Sequence, residues 1–348
     1  MVRFNPNKAE AVAFSRKVNS PVHPTLQMPN TDILSVEHHK HLGIQLSCDL
    51  KWSHHIDYIL FKAYCRLNIM RKLKFTLHRN SLETIYISFI RPILEYADIL
   101  FDNCTIQEGL ELERVQYEAA RIVSGTTKLV SIDKLMTEVQ WESLGNRRRK
   151  HKLLFLYKML HNLSPTYLTD LNPIPSFASS NYNMRQSDTY QQPRSRTNLY
   201  YNSFLPSAVR EYNRLNYDIR SANSLSSFKR LLNSNNSKVP KYYYTGNRRN
   251  QILHARLRTN CSSLAHDLFS KNIINSPSCA CGQVETTSHY FFHCPRHANF
   301  RRDLEDAVTI HSTFTLNTLL FGDQSLSNEQ NLDIFSAVHQ YISRTKRF

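Results

Sequence analysis

The 348-residue chain carries 44 Lys+Arg against 28 Asp+Glu, a formal charge of +16 with histidine neutral, and 41% of its residues are hydrophobic. That is enough apolar material for two or three modest domains, and the positive surplus favours polyanion partners, nucleic acid above an anionic membrane surface. No apolar run approaches the ~20 residues of a spanning helix, the start "MVRFNPNKAEAVAF" lacks a signal-peptide core, and seven unevenly spread cysteines read as reduced thiols.

Residues 1–50 read as strand and turn. Val12 and Phe14 alternate in "AEAVAFSRK", Leu42, Ile44 and Leu46 follow period two in "HLGIQL", and Pro21, Pro24 and Pro29 fall between. Two strands alone are not a stable unit in water, so this stretch reads as the edge of a sheet. Residues 51–170 read as a helical domain. Ile56, Ile59, Leu60, Ala63, Leu67, Met70 and Leu73 trace a helical stripe. Asn80 and Glu83 suggest a capping box for a second helix carrying Leu82, Ile85, Phe89, Ile93, Leu94 and Ala97, with a kink at Pro92. A third helix is expected from about Glu108 through Leu112, Val115, Ala119, Ile122 and Val123, stopping at Gly125. "SIDKLMTEVQW" and "RRRKHKLLFLYKMLHNL" suggest two more.

The tetrapeptide "YADI" at 96–99 matches three letters of a polymerase motif in which adjacent aspartates reach two metal ions from a tight hairpin. Here Ile99 replaces the second carboxylate, and Asp98 is expected within a helix, so the match is read as chance.

Residues 171–250 are rich in Asn, Ser, Gln, Tyr and Arg and read as a basic, loop-rich connector with short helices in "SFLPSAVREYNRL" and "SLSSFKRLL". "KYYYTGNRRN" mixes aromatics with arginines, which suits base stacking or the packing of a basic surface equally. Residues 251–310 hold the one constellation with clear chemistry, and 311–348 read as a C-terminal helical tail. Cys279, Cys281, His289 and Cys294 form C-x-C-x7-H-x4-C. Three thiolates and an imidazole complete a closed tetrahedral structural zinc site, with Gly282 available for the sharp turn that C-x-C demands. His293, four residues after His289, is an alternative ligand. Cys48, Cys65, Cys104 and Cys261 read as isolated buried thiols, and histidines 38, 39, 41, 54 and 55 as surface or helix-flanking groups.

Taken in order, several stretches resemble the C-terminal part of a LINE-type reverse transcriptase from a non-LTR retrotransposon. "FNPNKAEAVAFSRK" is similar to the strand region after the family's catalytic hairpin, with Lys8 at its lysine, and "HLGIQLSCDLKWSHHID" to the primer-grip segment, with Leu42 and Gly43 in place and His41 where an aromatic is usual. "SFIRPILEYADILFDN", "LERVQYEAARIVSG" and "RRRKHKLLFLYKML" look like the thumb and following helices, and "SFLPSAVREYNRL" and "SCACGQVETTSHYFFHC" like the downstream region and its zinc-binding segment. The resemblance implies a mainly α fold with a small β remnant: a thumb-like helical bundle plus a structural zinc segment. It also implies that the fingers and the catalytic carboxylates of the palm lie upstream of this sequence, so the chain is expected to be inactive alone as an RNA-directed DNA polymerase. RNA and DNA are the implied partners. Candidate contacts are Lys8, Leu42, Gly43, Arg147, Arg148, Arg149, Lys150, Lys152, Arg248, Arg249, Arg256 and Arg258. Two alternatives remain: a thumb subunit acting in trans with a separate palm polypeptide, and a decayed or host-adopted interaction module. The expected location is intracellular, in nucleus or cytoplasm, without a membrane.

Overall fold

The computed structural model describes residues 9–17, 23–28, 31–176, 189–234 and 238–348. The chain is mainly helical, 57% helix against 6% strand, with a small N-terminal strand region. Lys8 lies outside the described residues. No helix among them is long and apolar enough to cross a membrane.

The chain divides into two compact units, each assembled from three separated stretches. Unit 1 comprises Met1–Tyr64, Pro92–Glu113 and Ser143–Asn235; unit 2 comprises Cys65–Arg91, Arg114–Glu142 and Asn236–Phe348.

Unit 1 holds all the strands found among the described residues. They are β1 (Glu10–Ala11), β2 (Gln27–Met28), β3 (Thr31–Asp32), β4 (Leu34–Ser35), β5 (His38–His41) and β6 (Ile44–Ser47). They form three two-stranded ladders: β1 with β4 parallel, β2 with β3 and β5 with β6 antiparallel. Leu42 and Gly43 are not strand residues but the two-residue turn of the β5–β6 hairpin, both with positive φ (48° and 87°). That is the backbone a tight hairpin of right-handed twist needs. Leu42 is 76% accessible at this turn. Its carbonyl accepts a 2.7 Å hydrogen bond from the Tyr96 hydroxyl.

The helices begin with α1 (Ser53–Leu73), whose predicted stripe from Ile56 to Met70 is buried. Helix α2 (Arg79–Ile85) runs through a π turn at Tyr86–Ile90 into α3 (Arg91–Glu95). The cap of α2 is His78, not Asn80, and His78 makes no side-chain capping bond. Pro92 has no N–H to give and its ring crowds the carbonyl four residues back. The chain answers with the wider π turn, in which the Arg91 N–H reaches the Tyr86 carbonyl. Helix ends at Glu95, so Asp98 sits in the turn after it, behind Ala97 at φ 55°. Asp98 is buried, 2.7 Å from His151 Nδ1. The polymerase-like letters thus mark a buried carboxylate–imidazole pair rather than a helix surface.

Helix α4 (Ile106–Ser124) stops at Gly125, φ 76°, where the sequence places the stop. Helices α5 (Ile132–Val139) and α6 (Leu144–Leu160) follow, capped by Ser131 and Ser143. The stretch read as loop-rich contains α7 (Asn198–Tyr201), α8 (Phe204–Asn213), α9 (Tyr217–Arg220) and α10 (Leu225–Leu232). Leu153, Leu156 and Tyr157 of α6 build a core with Ala208, Val209, Tyr212 and Phe228. Tyr157 stacks between His161 and Phe228, and its hydroxyl donates to the Ala222 carbonyl at 2.8 Å.

Unit 2 continues with α11 (Arg248–Arg258), α12 (Ala265–Phe269), α13 (Ala298–Thr309), α14 (Leu316–Phe321) and α15 (Asn328–Thr345). Its core joins Tyr242, Leu257, Tyr290, Phe291, Leu304, Val308, Leu319, Phe335, Val338 and Tyr341. Helix α15 is therefore a core element, capped by a full Ser327–Gln330 capping box. Buried beside it, His254 and His339 meet at 3.2 Å, Nδ1 to Nε2. Burial and the nearby Arg258 hold both imidazoles neutral, His254 well below its usual value and His339 at about 4.

Because the unfolded chain protonates these histidines near pH 6.5 and the folded one resists, their stabilisation is complete above pH 6.5 and is lost as pH falls toward about 4. Loss from His339 alone is on the order of 3 kcal/mol. Urea unfolding from pH 7 to pH 4.5, compared between wild type and His339→Gln, is expected to show a shallower acid loss in the variant. Parallel pH profiles would contradict it.

Candidate metal centre

Three local devices bring the four predicted ligands together in unit 2. The Cys279 N–H donates to the Gln283 carbonyl at 2.7 Å, and the Gly282 N–H to the Cys279 carbonyl at 2.8 Å. The pairing of Ser278 with Val284 closes this small hairpin. Gly282 takes φ 92° with nothing within 4 Å of where a Cβ would stand. Glycine is needed there for its backbone freedom, not for space.

The third device is a π turn at His289–His293, in which the Cys294 N–H reaches the His289 carbonyl five residues back at 2.8 Å. At 3.6 residues per turn, positions five apart on an α-helix would point about 140° away from each other. The wider π turn returns the fifth residue to the same side. His293, the alternative ligand, is exposed and is not part of the donor cluster. The donor atoms of Cys279, Cys281, His289 and Cys294 all lie within 4.8 Å of one another, and the group could hold a metal ion. Cys279 Sγ and Cys294 Sγ are 3.8 Å apart, and Cys281 Sγ lies 3.3 Å from His289 Nε2.

The loop is bolted to the core on both sides. Tyr290 and Phe291, the two residues after His289, are buried in the unit 2 cluster. The Tyr341 hydroxyl donates to the Tyr290 carbonyl at 2.6 Å, and Arg301 donates to the carbonyls of Phe291 (2.7 Å) and Cys294 (2.5 Å). Glu285 accepts from Arg347 and, at 2.6 Å, from the Ala265 N–H. Burial alone would raise the Glu285 carboxyl, but these partners outweigh it and hold it below its usual value. Burial pushes the Cys279 thiol up to about 11, whereas the Gln283 backbone N–H holds the Cys281 thiol down. A metal entering here must displace protons, so its binding weakens in acid.

Neither a family model nor a curated protein matches this chain.

The predicted nucleic-acid contacts fall differently. Consecutive residues on a helix point about 100° apart, so the basic run at 147–152 cannot form one face of α6. Within unit 1, Arg147 pairs with Glu95, Arg149 Nε with Glu211 at 2.7 Å, and Lys152 Nζ with Asp102 at 2.6 Å. Arg148 is buried, its Nε 3.6 Å from the same Asp102, and Lys150 Nζ donates to Asn233 at 3.0 Å. In unit 2, Arg258 is buried on Glu138 (2.7 and 2.8 Å), and Arg249 bonds the Phe348 carbonyl at 2.8 Å. Arg248 and Arg256 are anchored to backbone carbonyls. The tyrosines of "KYYYTGNRRN" are engaged internally: Tyr243 faces the Arg258 guanidinium at 3.9 Å, and the Tyr244 hydroxyl donates to Glu83 at 2.5 Å.

Two further expectations change. Cys65 is exposed rather than buried, and Cys48 and Cys104 are only partly covered. His55 is fully buried, its Nδ1 accepting from the Gln45 N–H at 3.3 Å. Sequence reasoning missed Glu118, Arg121 and Lys128, which share a cleft with Arg248 and Arg256. They stand singly along the chain, without a run to draw the eye.

Proposed function

We propose that this chain is a nucleic-acid-binding protein of the LINE reverse-transcriptase type, in which the helices of 51–170 serve as a thumb and a structural zinc ion is held by Cys279, Cys281, His289 and Cys294. The donor geometry carries this reading. With zinc–sulfur bonds near 2.3 Å and zinc–nitrogen bonds near 2.0–2.1 Å, tetrahedral edges are about 3.8 Å between sulfurs and about 3.6 Å from sulfur to nitrogen. The corresponding separations in unit 2 are 3.8 and 3.3 Å. Four protein ligands leave no position for a reacting water, which favours a structural role over a catalytic one. The surplus of +16 supports a polyanion partner.

Binding rather than polymerisation is favoured by Asp98, which is engaged with His151 and is followed by Ile99, so it supplies no adjacent carboxylate pair for two metal ions. The second reading is a thumb subunit supporting RNA-directed DNA synthesis in trans. Among the described residues the β1–β4 and β2–β3 ladders have only two strands each, which favours it, since strand edges are where another chain can pair.

RNA binding by the purified chain across a salt series tests the first reading. Affinity is expected to fall with a log–log slope of roughly −0.7 per phosphate contact on a single strand, and Cys279→Ser/Cys281→Ser is expected to weaken it. Salt-insensitive or absent binding would overturn the reading. DNA synthesis appearing only when a palm polypeptide is added would establish the second.

A further inference from the structure

We propose that the cleft of unit 2 between the C-terminal ends of α1 and α4 and helix α11 binds the phosphodiester backbone of single-stranded nucleic acid, with Phe75 as a stacking platform for a base. This rests on the nucleic-acid reading above and gives it a place.

The cleft has a volume of about 540 Å³ and is lined by six cations: Arg71, Lys74, Arg121, Lys128, Arg248 and Arg256. Among the described lining residues one carboxylate opposes them. Glu118 is shared between Arg71 at 3.3 Å and Arg121 at 2.9 Å. Cations are expected where helices end, because each C-terminus carries about half a negative charge. Two termini and one carboxylate amount to about two charges, and they leave most of the six cations uncompensated.

The floor of the cleft is fixed in advance. Arg248 donates to the carbonyls of Lys74 (2.9 Å), Val123 (2.7 Å) and Ile122 (2.5 Å), and Arg256 to that of Gly125 at 2.9 Å. Both guanidinia are thus held by neutral groups, and among the described residues neither has a carboxylate partner. Burial, with Arg79 and Arg256 nearby, pushes Arg248 down to about 10, which still leaves it charged at neutral pH. An anion in the cleft would relieve that unpaired charge.

Phosphate alone does not account for Phe75. Its side chain is 67% exposed at the rim, with Lys74 Nζ 4.6 Å from its ring centroid. An exposed aromatic among cations is the pattern that lets a base stack while its phosphate is neutralised, worth about 1–3 kcal/mol per stacked base.

The test is binding of a labelled oligouridylate to the full chain across a salt series. Arg71→Gln/Lys74→Gln/Lys128→Gln removes three charges without touching the carbonyl anchors. It is expected to weaken binding at least about tenfold at low salt and to make the log–log slope shallower by about 2, at roughly 0.7 per phosphate. Lys229→Gln/Arg230→Gln/Arg302→Gln, equal in charge and outside the cleft, is expected to leave the slope near wild type. Glu118→Gln is expected to tighten binding. Phe75→Ala should weaken oligouridylate several-fold while leaving inorganic polyphosphate binding unchanged. If wild type binds but the cleft triple variant behaves like the control, the cleft assignment fails and the nucleic-acid reading stands. Equal effects of Phe75→Ala on both ligands, or none on either, would overturn the nucleic-acid assignment in favour of a general polyanion site. Failure of wild type to bind at all overturns both readings.

Discussion

Glu138→Ala is expected to destabilise unit 2 by about 3–5 kcal/mol. Glu138 is buried and takes both Arg79 (Nη1 to Oε1, 2.5 Å) and Arg258 (Nη2 to Oε1, 2.7 Å; Nε to Oε2, 2.8 Å). All three side chains are 3% exposed or less. Burial would raise the Glu138 carboxyl, but Arg258 and then Arg79 outweigh it and keep it ionised. The Tyr243 ring facing Arg258 and the Glu138 carbonyl accepting from Arg79 at 2.7 Å absorb part of the second positive charge. Without the carboxylate, two guanidinia face each other with no counter-ion. Folded domains are stable by only about 5–15 kcal/mol, so the variant should unfold at markedly lower urea. Removing one partner is what costs, because the other charges stay buried; replacing the whole triad by apolar groups is often neutral. Arg79→Met/Glu138→Leu/Arg258→Met is therefore expected to be more stable than Glu138→Ala alone. A Glu138→Ala midpoint within error of wild type would refute this account.

None of that triad was visible in the sequence, for a plain reason. Its members are 59 and 120 residues apart along the chain. Each stands in its own local pattern as an ordinary charged residue. The same holds for the basic run at 147–152, whose partners Glu95, Asp102 and Glu211 come from distant stretches. Burial of α1 at Ile56, Ala63, Leu67 and Met70 was legible because a helical stripe is a local signal. So was the stop at Gly125.

Helix boundaries failed where the hydrogen-bond ladder changes step. The π turn before Pro92 and the end of helix at Glu95 moved Asp98 from a helix face into a buried turn. At the candidate metal centre the same device worked the other way. The cluster of Cys279, Cys281, His289 and Cys294 was legible because these residues lie within sixteen consecutive positions, yet what brings Cys294 rather than His293 beside the other donors is a π turn that no α-helical period foretells.

Stripping metal from the Cys279/Cys281/His289/Cys294 centre is expected to be the second large perturbation, and its extent follows from how the loop is anchored. In isolated zinc-finger peptides the metal supplies apparent free energies of about 10–16 kcal/mol, because nothing else holds the fold. Here Tyr290 and Phe291 are already buried in a large core, and Arg301, Tyr341 and Arg347 tie down the loop backbone and Glu285. Part of the order should survive. We expect chelation to cost on the order of 5 kcal/mol, lowering the melting temperature by roughly 10–20 °C for a unit of this size. Helix α15 should remain formed, since its capping box and most of its core partners, among them Leu304, Val308 and Leu319, lie outside the ligand loop, although Tyr341 also touches that loop. Thiol titration reads the centre directly: chelation should expose the three cluster cysteines to reagent in the folded chain, and cobalt reconstitution should give sulfur-to-metal charge-transfer absorption. Cys281→Ser removes one of the three thiolates, so it should weaken that absorption and reproduce part of the loss in melting temperature. If instead the purified chain contains no metal, and its melting temperature and thiol reactivity ignore chelator, the clustering of these donors is packing alone, and the zinc reading falls with it.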